Sequence, residues 1–221
     1  MIELRSLRKG ERVEAGVLDT WVLILNSMET YTFKYPNKRR FFFSTTPVAS
    51  SIVYKPAAYN TDQLYEKFQE SVNHDIDTAT GDPTNYRLFF FSVIATDQIY
   101  VICIDLDVYQ TSIHILGNSS ADGAGIAKYG DIPFLLKDYF VRYLNQRDSY
   151  SAANRLKKIT PQRMLMQWSD TEKKDDSGVF TMCIMQTYMG DDSSKNKQSD
   201  LADLRVKYIT AILTAEINEL S

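Results

Sequence analysis

Cysteine and histidine are scarce here, with two of each in 221 residues. Cys103 and Cys183 lie inside apolar segments without metal-ligand spacing. That argues against a disulfide framework and a zinc-type cluster, and it favours a reducing, intracellular compartment with both thiols in the core. Positive charge is not in excess either: the formal net charge is −3, which argues against a nucleic-acid surface built on bulk charge. No apolar run approaches the roughly 18 residues that a membrane span requires. The opening Met1-Ile2-Glu3-Leu4-Arg5 is broken by charge throughout, unlike a secretory signal peptide. There are no internal repeats and no linker biased enough to divide the chain. Nothing resembles a cofactor or metal motif. One domain over residues 1–221, monomeric and without cofactor, metal, nucleic acid or membrane, is the expectation.

What is present is a generous supply of aromatic residues, 14 Tyr and 11 Phe among them, suited to a well-packed core. Val17 to Asn26 is apolar nearly all round and predicts a short buried helix. Phe41-Phe42-Phe43-Ser44-Thr45-Thr46 reads as a strand or strand-like loop. Thr61 opens a helix with Leu64, Phe68 and Val72 on one face, followed by a polar loop over 73–85. Three strand candidates come next: Leu88–Ile94, Ile99–Ile104 and Thr111–Leu116. Their short linkers predict an antiparallel or mixed meander, and the continuous apolar character of the first two predicts helices on both sheet faces. Pro133 fits the first turn of a helix that buries Leu135, Leu136, Tyr139, Phe140 and Tyr143. Pro161–Trp168 reads as a further strand and Gly178–Met189 as an apolar helix ended by Gly190. Leu201–Leu220 reads as an amphipathic helix with Leu204, Tyr208, Ile209, Ile212, Leu213 and Ile217 inward. The fold class expected is α+β, a central mixed sheet flanked by helices.

The most pointed stretch is Asp176-Ser177-Gly178-Val179-Phe180-Thr181-Met182, a charged loop that runs straight into an apolar helix. Thiol enzymes place their nucleophile at such junctions, where free N–H groups and the helix dipole stabilise a thiolate and an oxyanion. A serine gains little from that field unless a base removes its proton.

In order and spacing the chain resembles the ubiquitin-like (SUMO)-specific cysteine protease family, in particular the divergent set found in plant genomes. The resemblance covers about residues 16–221. It is carried by Arg39-Arg40-Phe41-Phe42-Phe43-Ser44-Thr45-Thr46, by Tyr100-Val101-Ile102-Cys103-Ile104-Asp105-Leu106, and by Ile113-His114-Ile115-Leu116-Gly117-Asn118-Ser119. Trp168 through Gly190 resembles the stretch around an Asp-Cys-Gly-Val-Phe nucleophile turn, and Leu204–Tyr208 with Glu216-Ile217-Asn218 the closing helix. The resemblance implies a papain-like cysteine protease fold, peptide or isopeptide hydrolysis after Gly-Gly, a SUMO or ubiquitin-like partner, and a nuclear or cytoplasmic setting. It also implies a triad in which an imidazole activates a thiol and a carboxylate orients the imidazole.

All three triad positions depart from that pattern. Gln98 stands at the histidine position, Gly117 at the aspartate position and Ser177 at the nucleophile position. A carboxamide can orient a group but cannot take its proton. Replacement of the nucleophile alone would leave Gln98 and Gly117 unexplained. The interval 171–175 offers no clear equivalent of the family's oxyanion-side glutamine. Strand alternation turns His114 away from the face of Ile113, Ile115 and Gly117, so a bonded or partly exposed histidine is the simpler reading. His74 has less support still. Asp105 and Asp107 read as solvated or capping strand-end acids rather than a metal pair. Asp175 and Asp176 are weak bases toward an alcohol. Trp168 could wall a groove for a Gly-Gly tail, although a core role is the simpler reading. The resemblance thus implies a catalytically inactive pseudoprotease. The alternative is a peptidase acting through Ser177 or a rearranged site.

Overall fold

In a computed structural model of the chain, residues 4–31, 40–79, 86–96, 98–117, 125–165, 174–190 and 200–215 are described. The run Leu4–Leu7 forms one 3-10 turn, and α1 spans Ala15–Tyr31. β1 (Arg40–Phe43) leads into a three-residue helical turn α2 (Thr46–Val48) and a π-helical turn over Ala49–Val53. Helix α3 (Thr61–Thr78) precedes the meander β2 (Leu88–Ile94), β3 (Ile99–Asp105) and β4 (Ser112–Gly117). A 3-10 turn at Gly125–Tyr129, α4 (Ile132–Gln146), α5 (Tyr150–Lys157) and β5 (Gln162–Leu165) follow. The 3-10 turn Lys174–Asp176 delivers the chain to α6 (Ser177–Thr187), and α7 spans Leu201–Thr214.

The five strands stand in the order β1-β2-β3-β4-β5. β2, β3 and β4 are antiparallel neighbours, while β1 and β5 add in parallel at the two sides. This is the α+β architecture with a mixed central sheet that the patterning implies. Alternation along the strands then builds two cores. Phe43, Phe91, Tyr100, Ile102 and Ile115 pack under α3, α4 and α5, with Phe68, Phe140 and Leu156 opposite them. Phe42, Phe90, Ile99, Val101 and Leu116 pack under α1, α6 and α7, with Trp21, Val179, Met182 and Tyr208 opposite. Burial on both faces explains why β2 and β3 read as unbroken apolar runs.

Several local expectations change. The first helix runs well past Asn26, to Tyr31. Asn26 closes the exposed edge of β1, its carboxamide accepting from the Phe42 amide (3.0 Å) and donating to the Phe42 carbonyl (2.8 Å). The polar loop expected from Asn73 is helix as far as Thr78, because Ile76 continues the Phe68–Val72 stripe and is buried. At the other end of α3, Asn60 and Gln63 form a reciprocal capping box. Leu213 is 61% exposed, since Leu204, Tyr208 and Ile212 set the inward phase of α7. Ile217 and Trp168 lie outside the described residues. Asp105, expected to be solvated or capping, is 2% exposed; it caps the strand end by accepting from the Asp107 amide (2.8 Å) and is held by a two-bond pair with Arg87 (2.7 and 2.7 Å).

Candidate active site

Ser177 is the first residue of α6 and is 1% exposed. The residues after it are almost all apolar, so the helix sinks into the second core and carries its N-terminus to the end of the sheet. There the Ser177 hydroxyl accepts a hydrogen bond from the Ile99 amide at 3.2 Å. Ile99 follows Gln98 directly, and Gln98 closes the β2–β3 turn by accepting from the Ala95 amide at 3.0 Å. Gly117 ends β4, opposite Tyr100 by continuation of the β3–β4 register. Ser177, the backbone at Gln98 and Gly117 therefore gather at one end of the sheet, Ser177 from the α6 side and Gly117 on the Tyr100 side. Trp168 cannot be related to them, lying outside the described residues.

The space beside Gly117 is occupied. A Cβ at this position would lie 3.2 Å from Tyr100 Cβ and 4.0 Å from the Tyr129 hydroxyl. The rings of Tyr100 and Tyr129 meet edge to face at 4.8 Å. Burial pushes the Tyr100 phenol well above its ordinary pKa, with Tyr129 adding to the effect. Tyr100 thus stays protonated near neutrality and is no base. Its hydroxyl is buried and has no protein hydrogen-bond partner.

No described imidazole or carboxylate bonds to Ser177. His114 is turned to the α6 side, where its Nδ1 meets the Tyr188 hydroxyl at 2.6 Å. His74 lies on α3 and lines a cavity of about 460 Å³ among α1, α3 and the end of β1. Asp176 is adjacent, but its carboxylate accepts from Arg205 at 2.5 Å. Neither cysteine can stand in for a nucleophile: burial raises the pKa of both Cys103 and Cys183, against thiolate formation.

Sequence reasoning missed what holds the nucleophile turn. Arg205 of α7 is only 4% exposed. Besides Asp176 it donates to the carbonyls of Arg8 (2.6 Å) and Glu11 (3.1 Å), so one guanidinium ties the N-terminal segment to the residue before Ser177. Arg12 grips the β2–β3 turn through the carbonyls of Thr96 (2.8 Å) and Ala95 (2.6 Å). Between these anchors Val13 lies against Gly178, where a Cβ would come within 2.4 Å of Val13 Cβ. The available signal was the spacing of Arg205, Tyr208 and Ile212, which puts an arginine on the apolar face of α7.

No protein-family model matches this sequence, and no curated protein sequence matches it either. Solved structures do match in three dimensions. The C-terminal Ulp1 protease domain, in complex with Smt3, the yeast orthologue of SUMO, superposes with a TM-score of 0.67 at 12% identity over 96% of this chain and 81% of that one. The fold is that of a SUMO protease domain. Ulp1 with its catalytic cysteine oxidised to a sulfinic acid gives 0.66 at 10% identity, covering 96% and 82%. A de-sumoylating protease gives 0.61 at 12% identity, covering 98% and 81%. The papain-like α+β fold that the resemblance implies is therefore the observed one. No helix among the described residues is long and apolar enough to cross a membrane.

The cavity beside β1 carries a pH signature. Asp19 accepts from the Thr45 amide (2.6 Å) and Asp75 from the Ser44 amide (2.8 Å). Burial raises both pKa values above 3.8, outweighing these bonds, and Asp75 raises Asp19 further. A folded-state pKa above the unfolded one means that the native state binds more protons between the two values, so this contribution to stability grows as pH falls through that window. Asp19→Asn keeps an acceptor for Thr45 and removes the charge. Its stability relative to wild type, from urea unfolding at pH 7 and pH 4, is expected to be more favourable at pH 7. An identical difference at both pH values would contradict the assignment.

Proposed function

We propose that this chain is a SUMO-protease relative that binds a ubiquitin-like modifier without cleaving it. The observation that carries the reading is the state of Ser177. It is buried, its hydroxyl is bonded to the Ile99 amide, and no group with a neutral-pH base function bonds to it among the described residues. A hydroxyl left protonated is a poor nucleophile even beside a helix N-terminus. Gln98 supplies no proton acceptor of useful basicity, and Gly117 with Tyr100 leaves no orienting carboxylate. The SUMO complex of Ulp1, which shares the fold, supports a modifier of this class as partner. A nuclear or cytoplasmic setting goes with such a partner.

The test pairs cleavage with binding. Purified protein is incubated with SUMO and ubiquitin precursors extended beyond Gly-Gly, and mature modifiers are titrated by calorimetry. The expected result is no processing above a Ser177→Ala control, together with saturable binding of one modifier. Processing that Ser177→Ala abolishes would establish the active peptidase instead. Absence of both cleavage and binding would remove the modifier from the account.

A further inference from the structure

A second cavity lies at the other end of β2, where no part of the proposed site reaches. It holds about 230 Å³ and is walled by Phe43, Phe89, Phe140, Tyr143 and Leu144, with Arg147 also in its lining. Phe140 stacks on Tyr143 at 6.0 Å and meets Phe89 at 5.3 Å, so the aromatic sides support one another. One wall is formed where α4 turns into α5, and Asp148 makes that corner with a φ of 55°. A non-glycine residue in the left-handed region is held there by its surroundings, here by the Tyr150 hydroxyl on its carboxylate (2.7 Å) and the Ser149 amide on the Leu144 carbonyl (2.9 Å).

Arg147 is the unusual member. Its guanidinium donates to Asn73 Oδ1 at 2.6 Å and lies 5.4 Å from the centre of the Tyr143 ring. Tyr143 also donates to Asn73 Oδ1, at 3.0 Å, fixing that acceptor. Every one of these partners is neutral, and no described carboxylate pairs with Arg147. A guanidinium has five donors in a fixed fork suited to a carboxylate. A positioned cation beside an aromatic-walled cavity matches a ligand with an apolar body and one anionic end. We propose that this cavity binds a small carboxylic acid, its aromatic or short aliphatic body against Tyr86, Leu106, Leu144 and Ala152 and its carboxylate on Arg147.

Size narrows the class. An apolar cavity of roughly 150 Å³ takes one benzene, so this one takes a ring with two or three further carbons. 3-Phenylpropanoate has that size, and 3-phenylpropanamide is its neutral counterpart. Both are titrated into the purified chain, with binding read by saturation-transfer NMR and by the rise in Tm that ligand linkage produces. The carboxylate is expected to bind in the millimolar range, as suits a ligand of about ten atoms, and roughly tenfold more tightly than the amide. Arg147→Gln, at an exposed position that need not disturb folding, is expected to erase that tenfold difference while leaving amide binding unchanged. Ala152→Leu, from the α5 wall, is expected to abolish binding of both while the protein still unfolds cooperatively. Equal affinity for acid and amide, undiminished acid binding in Arg147→Gln, or no binding of either compound would each overturn the proposal.

Discussion

Arg205→Met is expected to lower Tm by about 5–15 °C, the largest loss from any single surface-to-core contact around the nucleophile turn. The arginine is buried and bonds to the carbonyls of Arg8, Glu11 and, at 3.5 Å, Ser6, as well as to the Asp176 carboxylate. Removing one partner of a buried pair leaves the other desolvated and unpaired, which costs about 3–5 kcal/mol in fully buried cases. Asp176 retains some exposure, 18% of its side chain, so water recovers part of that and about 2–4 kcal/mol is a fairer expectation. For a domain of this size each kcal/mol moves Tm by roughly 2–4 °C. Methionine keeps most of the stem volume, which makes the loss one of polar partners rather than packing. Asp176→Asn retains an acceptor and should cost less than half as much. These carbonyl partners lie on the N-terminal segment, so limited proteolysis of Arg205→Met should cut first within residues 4–14. A Tm within about 2 °C of wild type, with that segment still protected, would show that the tether carries no weight.

Readability from sequence followed burial. β2 and β3 were legible because both of their faces are covered, which leaves Leu88–Ile94 and Ile99–Asp105 apolar without interruption. Helix α3 is legible through Leu64, Phe68 and Val72, yet its end is poorly marked because the residues between Val72 and Thr78 are polar except Ile76. Helix α5 leaves no readable pattern in the sequence. Only Ala153 and Leu156 of its eight residues are buried, too few to produce a periodic signal. The expected helix at Gly178–Met189 is observed as Ser177–Thr187, since an all-apolar helix has a clear identity but poorly marked ends. At the site, residue types were readable and neighbours were not. Gly117 could be read as a missing carboxylate; that Tyr100 and Tyr129 close over it depends on strand register and on a turn with no pattern of its own. Arg205 escaped because a charged residue is ordinarily assigned to solvent, and its burial follows from partners nearly 200 positions away in the chain.

Restoring the triad positions stepwise is expected to produce activity in a strongly non-additive order, and the structure adds a cost to the last step. Ser177→Cys alone should give no modifier turnover. A thiol near pKa 8.5 is mostly protonated at pH 7, and although the helix N-terminus favours the thiolate, nothing bonded to it can accept or return a proton. Slow alkylation by a small electrophile is the most that this variant should show. Gln98→His adds an imidazole at the position whose following amide already touches the residue-177 side chain, at 3.2 Å in the present structure. This double variant should be the first to cleave a SUMO precursor detectably. Gly117→Asp then supplies a carboxylate to fix the imidazole's tautomer, a role whose loss costs about 10⁴ in kcat in the best-studied triad. The new Cβ, however, would stand 3.2 Å from Tyr100 Cβ, and the carboxylate would enter a buried aromatic corner. Crowding and desolvation together should cost about 2–3 kcal/mol, or roughly 4–12 °C in Tm. The triple variant is therefore expected to be the most active and the least stable of the series. The loss of stability has its origin in the tyrosine pair that borders residue 117. Substantial turnover by Ser177→Cys alone would mean that a base reaches residue 177 from elsewhere, and the account of an emptied site would fall with it. A folded triple variant that binds the modifier but stays inactive would instead locate the remaining defect in the oxyanion donors, because thiol, imidazole and carboxylate would then all be in place.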